Sequence, residues 1–343
     1  MGSLFPSLPD EIGLECLLRV KLNSHPKLRG VCKSWNAALK SPYFYQERNR
    51  LKISEQRIFM LQTKGRIIDG TSNRVAVYNL ENNSCKSLPP VPGPIYSIEH
   101  CHFVKQKLVL ITDIVRDSTR ICVWLFDFAS CKWRRGATML RWLEDFTSAA
   151  DEDGGLIYVG GGFDRSGKPV RSASVYNVEE DKWDVLPDMN ALVVDMYTIF
   201  RSAFADGKFY VMGSWSAPSF EAFDSYTRSW KTVENRFNCW RSFVTAPFGR
   251  LYFLSDKGLI EYDCSQDKWN IVGPIPTKDW DLHIEFAVMV GHKIFVCKYH
   301  PHQDQGYYMV ELPNETGGAI KLFRIRKPRG LQGQPICAAT LNV

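Results

Sequence analysis

The chain has 343 residues, 45% of them hydrophobic and 23% charged, long enough to bury a large core. The formal net charge of +6 is uneven: residues 1–52 hold nine Lys/Arg against four acids, which leaves about +1 for the other 291 residues. A near-neutral body argues against non-specific nucleic-acid binding, and the absence of any run of 18 apolar residues argues against a membrane span. The start lacks a positive n-region with an apolar h-region, and Pro6 stands where a myristoylation motif needs Ser or Thr. Ten cysteines without a C-x-x-C pattern fit a reducing compartment, cytoplasm or nucleus, rather than a disulfide framework or a metal knuckle.

In chain order, residues 7–45 come first. Ser7 is a candidate helix cap, Pro9 suits a first turn, and Asp10 and Glu11 complement the positive helix end. Ile12, Cys16, Leu17 and Val20 form one apolar stripe. Pro26 opens a second helix, and a third is expected from about Val31 to Leu39, before Ser41-Pro42. Three short helices make too small a core to be self-sufficient, so this head is expected to leave apolar surface for a partner.

Strands follow. Short β-rich runs near 58–62, 108–112, 156–160, 209–213, 251–254 and 294–297 are bounded by turns such as Asp153-Gly154-Gly155 and Asp206-Gly207. Five times an aromatic followed by Asp or Asn precedes, by seven residues, a position that is usually Trp: Tyr78/Cys85, Phe126/Trp133, Tyr176/Trp183, Phe223/Trp230 and Tyr262/Trp269. The steps of 48, 50, 47 and 39 residues are those of a four-stranded blade, so a closed β-propeller is expected. Six strand signals predict six blades. The last unit lacks the Trp, and the spare strand at 336–341 is expected to pair into the first blade and close the ring.

The glycines of Gly160-Gly161-Gly162, the aromatic-Asp/Asn pair and the Trp seven residues on resemble the kelch repeat over roughly residues 57–343. The head, with Leu8-Pro9-Asp10-Glu11-Ile12 and Val31-Cys32-Lys33-Ser34-Trp35, resembles the F-box; its middle, Asn23-Ser24-His25-Pro26-Lys27, departs from the usual Leu-rich pattern. Glu15-Cys16-Leu17-Leu18-Arg19, Trp133 to Met139 and Leu186-Pro187-Asp188-Met189 are similar to a plant F-box/kelch subfamily. The fold this implies is mainly β: a six-bladed kelch propeller (51–343) behind a three-helix F-box (1–50). The implied role is non-catalytic: substrate receptor of a Skp–cullin–F-box ubiquitin ligase. The head would bind a Skp-type adaptor, and through it cullin, by Leu8, Pro9, Ile12, Leu17, Val31, Cys32 and Trp35. Members of the subfamily are linked to turnover of phenylalanine ammonia-lyase, hence to phenylpropanoid metabolism, and of cytokinin response regulators.

No cofactor, metal, nucleic-acid or membrane partner is expected. Gly162 to Pro169 misses the phosphate-loop pattern at Pro169 and reads as a hairpin. His100/His102 and His300/His302 read as turn or surface histidines, because a pair at i, i+2 needs two further ligands. Arg324 to Arg329 reads as a solvated interblade loop or as a nuclear-targeting run. Trp142, Trp240 and Trp280 fall 9–11 residues after a repeat Trp, in interblade connections, and Trp215 falls in a loop. With Arg141 and Arg241 they have the composition of a protein-binding hot spot, so one propeller face is expected to hold the target. A scaffold that sequesters its partner, or a small-molecule sensor, are the rival readings.

Overall fold

The computed structural model describes residues 3–342 except 22–23, 52, 54–55, 64–73, 93–94, 106, 115–120, 129, 140, 191–200, 214–218, 235–242, 247–248, 256–257, 276–283, 299–305, 314–318 and 332–333. The head holds α1 (Asp10–Leu18), α2 (His25–Arg29), α3 (Lys33–Ala38) and α4 (Pro42–Arg50). It has four helices rather than three: the proline expected only to stop α3 also opens α4, where a missing N–H costs nothing. Ser7 does not cap α1. Pro9 precedes the helix without a side-chain cap, and the Asp10 carboxylate instead accepts the Leu4 N–H at 2.8 Å, folding the leading segment back. The third helix starts at Lys33, with Cys32 Sγ accepting the Trp35 N–H at 3.4 Å.

Six four-stranded antiparallel sheets follow. Blade one contains β1 (Gln56–Thr63), β2 (Arg74–Asn79) and β3 (Ser84–Ser87). Blade two is β4 (Ile95–Val104), β5 (Lys107–Ile114), β6 (Ile121–Asp127) and β7 (Lys132–Arg135). Blade three is β8 (Thr147–Asp151), β9 (Leu156–Gly160), β10 (Ala173–Asn177) and β11 (Lys182–Leu186). Blade four is β12 (Arg201–Ala205), β13 (Lys208–Met212), β14 (Phe220–Asp224) and β15 (Ser229–Thr232). Blade five is β16 (Phe243–Ala246), β17 (Arg250–Ser255), β18 (Gly258–Asp263) and β19 (Lys268–Gly273). Blade six is β20 (Ile284–Val290), β21 (Lys293–Lys298), β22 (Gly306–Glu311) and β23 (Lys321–Ile325). The last strand, β24 (Gln334–Asn342), pairs with β1 from Gln56↔Asn342 to Thr63↔Gln334 and forms the inner strand of blade one. The inner strands β24, β4, β8, β12, β16 and β20 touch in cyclic order, and an apolar cluster fills each of the six gaps between neighbouring blades.

The repeat has a local cause. In each of the first five blades the Asp or Asn after the aromatic accepts backbone N–H groups of the following turn: Asn79 from Glu81, Asp127 from Ser130, Asn177 from Glu179, Asp224 from Tyr226 and Asp263 from Ser265, at 2.9–3.0 Å. The turn closes through one left-handed residue two before the anchor: Asn83, Cys131, Asp181, Arg228 or Asp267, with φ 51–55°. The anchor then lies opposite its aromatic, for example Tyr176↔Trp183, with ring centroids 5.0 Å apart. Its indole N–H reaches a carbonyl preceding its own blade: Trp133 to Pro89 O (2.8 Å), Trp183 to Ala137 O (3.1 Å), Trp230 to Pro187 O (2.8 Å) and Trp269 to Glu234 O (2.8 Å). Each anchor thus fastens one blade to the chain leaving the last. In blade six the register puts Leu322 opposite Val310, so a leucine fills the anchor position without the indole bond.

Candidate functional site

The head is built around Leu17, Leu18, Leu39 and Phe44, against which Leu4, Phe5, Leu14, Leu28 and Trp35 pack. Arg48, 1% exposed, closes this core. Its Nη1 donates to Leu18 O and, at 2.8 Å, to Val20 O, and its Nη2 to Ile53 O at 3.3 Å. A buried cation is tolerated here because its protons meet carbonyls at the negative end of α1. Ile53 leads directly to β1, so the same side chain ties helix to linker.

What the core does not cover is apolar. Leu8, Ile12, Val31 and Tyr43 are each 42–60% exposed, and Pro9, Cys16 and Cys32 are exposed too. Ile12 and Cys16, four residues apart, share one side of α1, and Leu8 and Pro9 stand in the segment that leads into it. Val31 and Cys32 lead into α3. Leu17, expected in the contact set, is 1% exposed and belongs to the core, so it leaves that set. Trp35 is half-buried, its ring 4.9 Å from Phe5 and its indole N–H bonded to Leu4 O at 2.6 Å; it holds the leading segment in place. Tyr43 was not foreseen: no helix was expected over the segment that carries it.

Alternating strands put the turns joining strands one to two and three to four of each blade on one propeller face. The interblade connections and second loops emerge on the other. The head meets the first face. Arg29 Nη1 donates to Phe128 O (3.5 Å) and its Nη2 to Leu39 O and Tyr45 Oη (3.1 Å each), while Lys21 pairs with Glu81 at 3.1 Å. The face expected to hold a target is therefore the one away from the head. On it, Arg141 is exposed and Trp142 half-buried, in the connection between blades two and three. That connection is fastened to the second loop of blade three, Glu144 N–H to Phe163 O (3.0 Å) and Phe163 N–H to Glu144 O (2.8 Å). The loop itself is stiff: Asp164 Oδ1 accepts from Ser166 Oγ (2.6 Å), Ser166 N (2.9 Å) and Lys168 N (3.0 Å). The Ser166 hydroxyl above all, then the Lys168 amide, holds the Asp164 carboxyl below its usual range. Strand β10, not a helix, follows, so the loop has no helix terminus for a phosphate. Trp215, Trp240, Arg241 and Trp280 lie outside the described residues, as do His300 and His302.

His100 and His102 are neither turn nor surface groups. Strand alternation places Cys101 and Phe103 in the gap between blades one and two and turns the two histidines toward blade three. There His100 Nε2 meets Phe146 O at 3.0 Å and His102 Nε2 meets Ser148 Oγ at 2.6 Å. Burial pushes His100 down to about 4, against the Phe146 bond, and His102 to about 3, with His100 adding to it. Thr147 Oγ1 donates to Ser202 Oγ at 2.5 Å, and Arg201 of blade four reaches Ile284 O (3.2 Å) and Glu285 O (3.4 Å) of blade six. The inner wall is thus a set of hydrogen-bonded ties between blades. Among the described residues, no three His, Cys, Asp or Glu are grouped to hold a metal, and no helix is long and apolar enough to cross a membrane.

Comparison with known proteins follows this division. The F-box domain model matches residues 5–47, and the kelch motif model matches 148–190, which is blade three. An F-box/kelch-repeat protein of Arabidopsis thaliana is 28% identical over 302 residues, covering 81% of this chain and 84% of the relative. A second, from the same plant, is 26% identical over 353 residues, covering 99% and 90%. A third, the F-box/kelch-repeat protein SKIP20, is 25% identical over 283 residues, covering 68% and 67%. The crystal structure of TolB from Acinetobacter baumannii matches with a TM-score of 0.57 at 12% identity, over 83% of this chain and 66% of that one. That likeness concerns the fold alone.

Proposed function

From an F-box head joined to a six-bladed kelch propeller, we propose that the chain is the substrate-recognition subunit of a Skp–cullin–F-box ubiquitin ligase. The observation that carries this reading is the exposed apolar side of α1 together with the turn before α3, on a module whose own core is already complete. Leu8, Pro9, Ile12, Val31 and Cys32 dock the Skp-type adaptor, which brings cullin. Burying an exposed Leu, Ile or Val side chain is worth roughly 1.5–3 kcal/mol when complete, so these side chains supply the apolar centre of the contact.

The loop face opposite the head holds the protein target. Arg141 and Trp142 lie on it, and Trp215, Trp240, Arg241 and Trp280 are assigned there from their sequence positions. The chain performs no bond chemistry in this role. It raises the local concentration of target lysines near the ubiquitin-transfer machinery. An enzyme or regulator of phenylpropanoid metabolism is the target class the family likeness favours, and the cytoplasm or nucleus the compartment.

The test is co-purification of the tagged chain with adaptor and cullin, beside that of Leu8→Asp with Ile12→Asp. The parent brings down both partners; the double variant loses both while its melting temperature stays within about 2 °C, since the side chains are exposed. Captured proteins that bind both forms but lengthen their half-life only with the variant are the targets. Equal adaptor capture by both forms overturns the adaptor face. Unchanged half-lives favour sequestration over degradation.

A further inference from the structure

The positive charge of the propeller is concentrated at one place. Residues 316–343 hold five cations and no carboxylate, whereas residues 53–315 are net −4. Those cations, Lys321, Arg324, Arg326, Lys327 and Arg329, are all exposed on β23 and the connection that leaves it.

At two other blade junctions the outer-strand cation beside the anchor is neutralised by the following blade. Arg134, next to anchor Trp133, pairs with Asp181 at 2.5 Å, and Lys231, next to anchor Trp230, pairs with Asp267 at 3.1 Å. Both acids occupy the left-handed position of the next turn. Where blade six meets blade one, both halves of this latch are different. The residue after the anchor position is Phe323, and the left-handed turn residue is Asn83. Tyr78 still donates to Asn83 Oδ1 at 2.9 Å, as Tyr176 and Tyr262 do to their aspartates, so the turn is preserved while its charge is gone. Among the described residues, Arg324, Arg326, Lys327 and Arg329 make no ion pair.

The backbone that carries the last of these cations is held in position. Arg329 runs parallel to Ser84, its N–H donating to Asn83 O (2.9 Å) and its carbonyl accepting from Cys85 (2.7 Å), with Pro328 buried beneath. Phe323 is 48% exposed in the same strand. Among the described residues, β23 pairs only with β22, so its outer edge presents free backbone groups. Cations commonly blunt such an edge. Here five of them fall within residues 321–329, and an aromatic ring stands among them.

We propose that the outer edge of β23, with the cations that follow it, docks an acidic, extended protein segment, which adds a fifth strand to blade six. Its carboxylates face Arg324, Arg326 and Lys327, and an apolar side chain covers Phe323. Five residues of β23 span about 17 Å, room for a segment of about six residues. A long nucleic acid would run off this short stripe onto the net-negative remainder, and it has no backbone amides to pair with a strand edge. The surface is on the outer wall of the ring, apart from the loop face, and stands independently of the target reading.

The test uses the full chain and fluorescence anisotropy with a labelled Glu-Val-Glu-Val-Glu-Val peptide, its Lys-Val counterpart, a version N-methylated on alternate amides, an oligo-uridylate and phosphatidylserine vesicles. The acidic peptide should bind about tenfold or more tightly than the basic one and weaken severalfold from about 50 to about 300 mM salt. Arg324→Glu with Arg326→Glu and Lys327→Glu should lose about tenfold or more, and N-methylation should abolish binding. If the triple variant misfolds, Arg326→Gln with Lys327→Gln, in the connection beyond β23, should still lose severalfold. Unchanged affinity in a folded variant overturns the proposal, and so does unimpaired binding of the N-methylated peptide. Tighter binding of the oligonucleotide or vesicles, or concentration-dependent dimerisation of the chain, would also overturn it by assigning the stripe to another occupant.

Discussion

Replacing Trp183 by alanine separates the two kinds of tryptophan in this propeller. Trp183 is 4% exposed, packs against Tyr176, and closes the gap between blades two and three with its bond to Ala137 O. Truncating such a ring costs about 3–5 kcal/mol, from lost burial and from the cavity left behind. For a domain of this size each kcal/mol lowers the melting temperature by about 2 °C, so Trp183→Ala should melt about 6–10 °C lower. Trp183→Phe keeps a ring beside Tyr176 but leaves the carbonyl without its donor, and should cost only about 1–2 kcal/mol. Trp142 is half-buried on an interblade connection and bears no anchor bond; Trp142→Ala should cost under about 1 kcal/mol while releasing the target. The assay is scanning fluorimetry of the three variants beside target capture from extract. A Trp183→Ala protein that melts within about 2 °C of the parent, or a Trp142→Ala protein that melts like Trp183→Ala, would refute the division into anchors and contacts.

Two further outcomes are expected. Leu17→Ala should destabilise the head by about 2–5 kcal/mol and weaken adaptor capture only through unfolding, so lowering the temperature should rescue it; loss of capture by a head that remains folded on circular dichroism would return Leu17 to the contact set. His100 and His102 have pKa values below the ordinary ~6.5, so the unfolded chain binds protons first as pH falls. Their contribution is intact above about 6.5 and declines from there toward about 4 and 3, and His100→Gln with His102→Gln should flatten the acid limb of melting temperature against pH; parallel limbs would count against buried neutral imidazoles.

The propeller was legible in the sequence because its repeat is written over seven residues. An Asx turn, a left-handed residue and a Trp opposite its aromatic are all local, and they survive whatever the neighbouring blade contains. Blade six was legible only as a loss, because nine residues separate β22 from β23 and the register brings Leu322 to the anchor position. The head was readable as short helices but not as a surface. Ile12 and Leu17 are apolar on the same helix, and only the packing of α3 and α4 decides that one is exposed and the other buried. The histidine pair failed for a related reason. Two histidines at i, i+2 look alike on an outer or an inner strand, and β4 is inner only because six blades close. Of the six residues expected to hold the target, Arg141 and Trp142 lie on the face away from the head, and the other four lie outside the described residues.

Strand β24 is made after every other strand of the ring, yet its place is beside β1, more than 270 residues earlier. At about 5–20 residues per second, β1 waits roughly 15–55 s during synthesis for its inner neighbour. The head is complete long before that, so an adaptor meets a finished docking module on an unfinished propeller. Ring closure then waits until every other blade strand has been made, and a chain broken between blade one and β24 carries a complete head beside a β1 that lacks its inner neighbour. On the proposed role, such a fragment would occupy adaptor without presenting a properly formed target face.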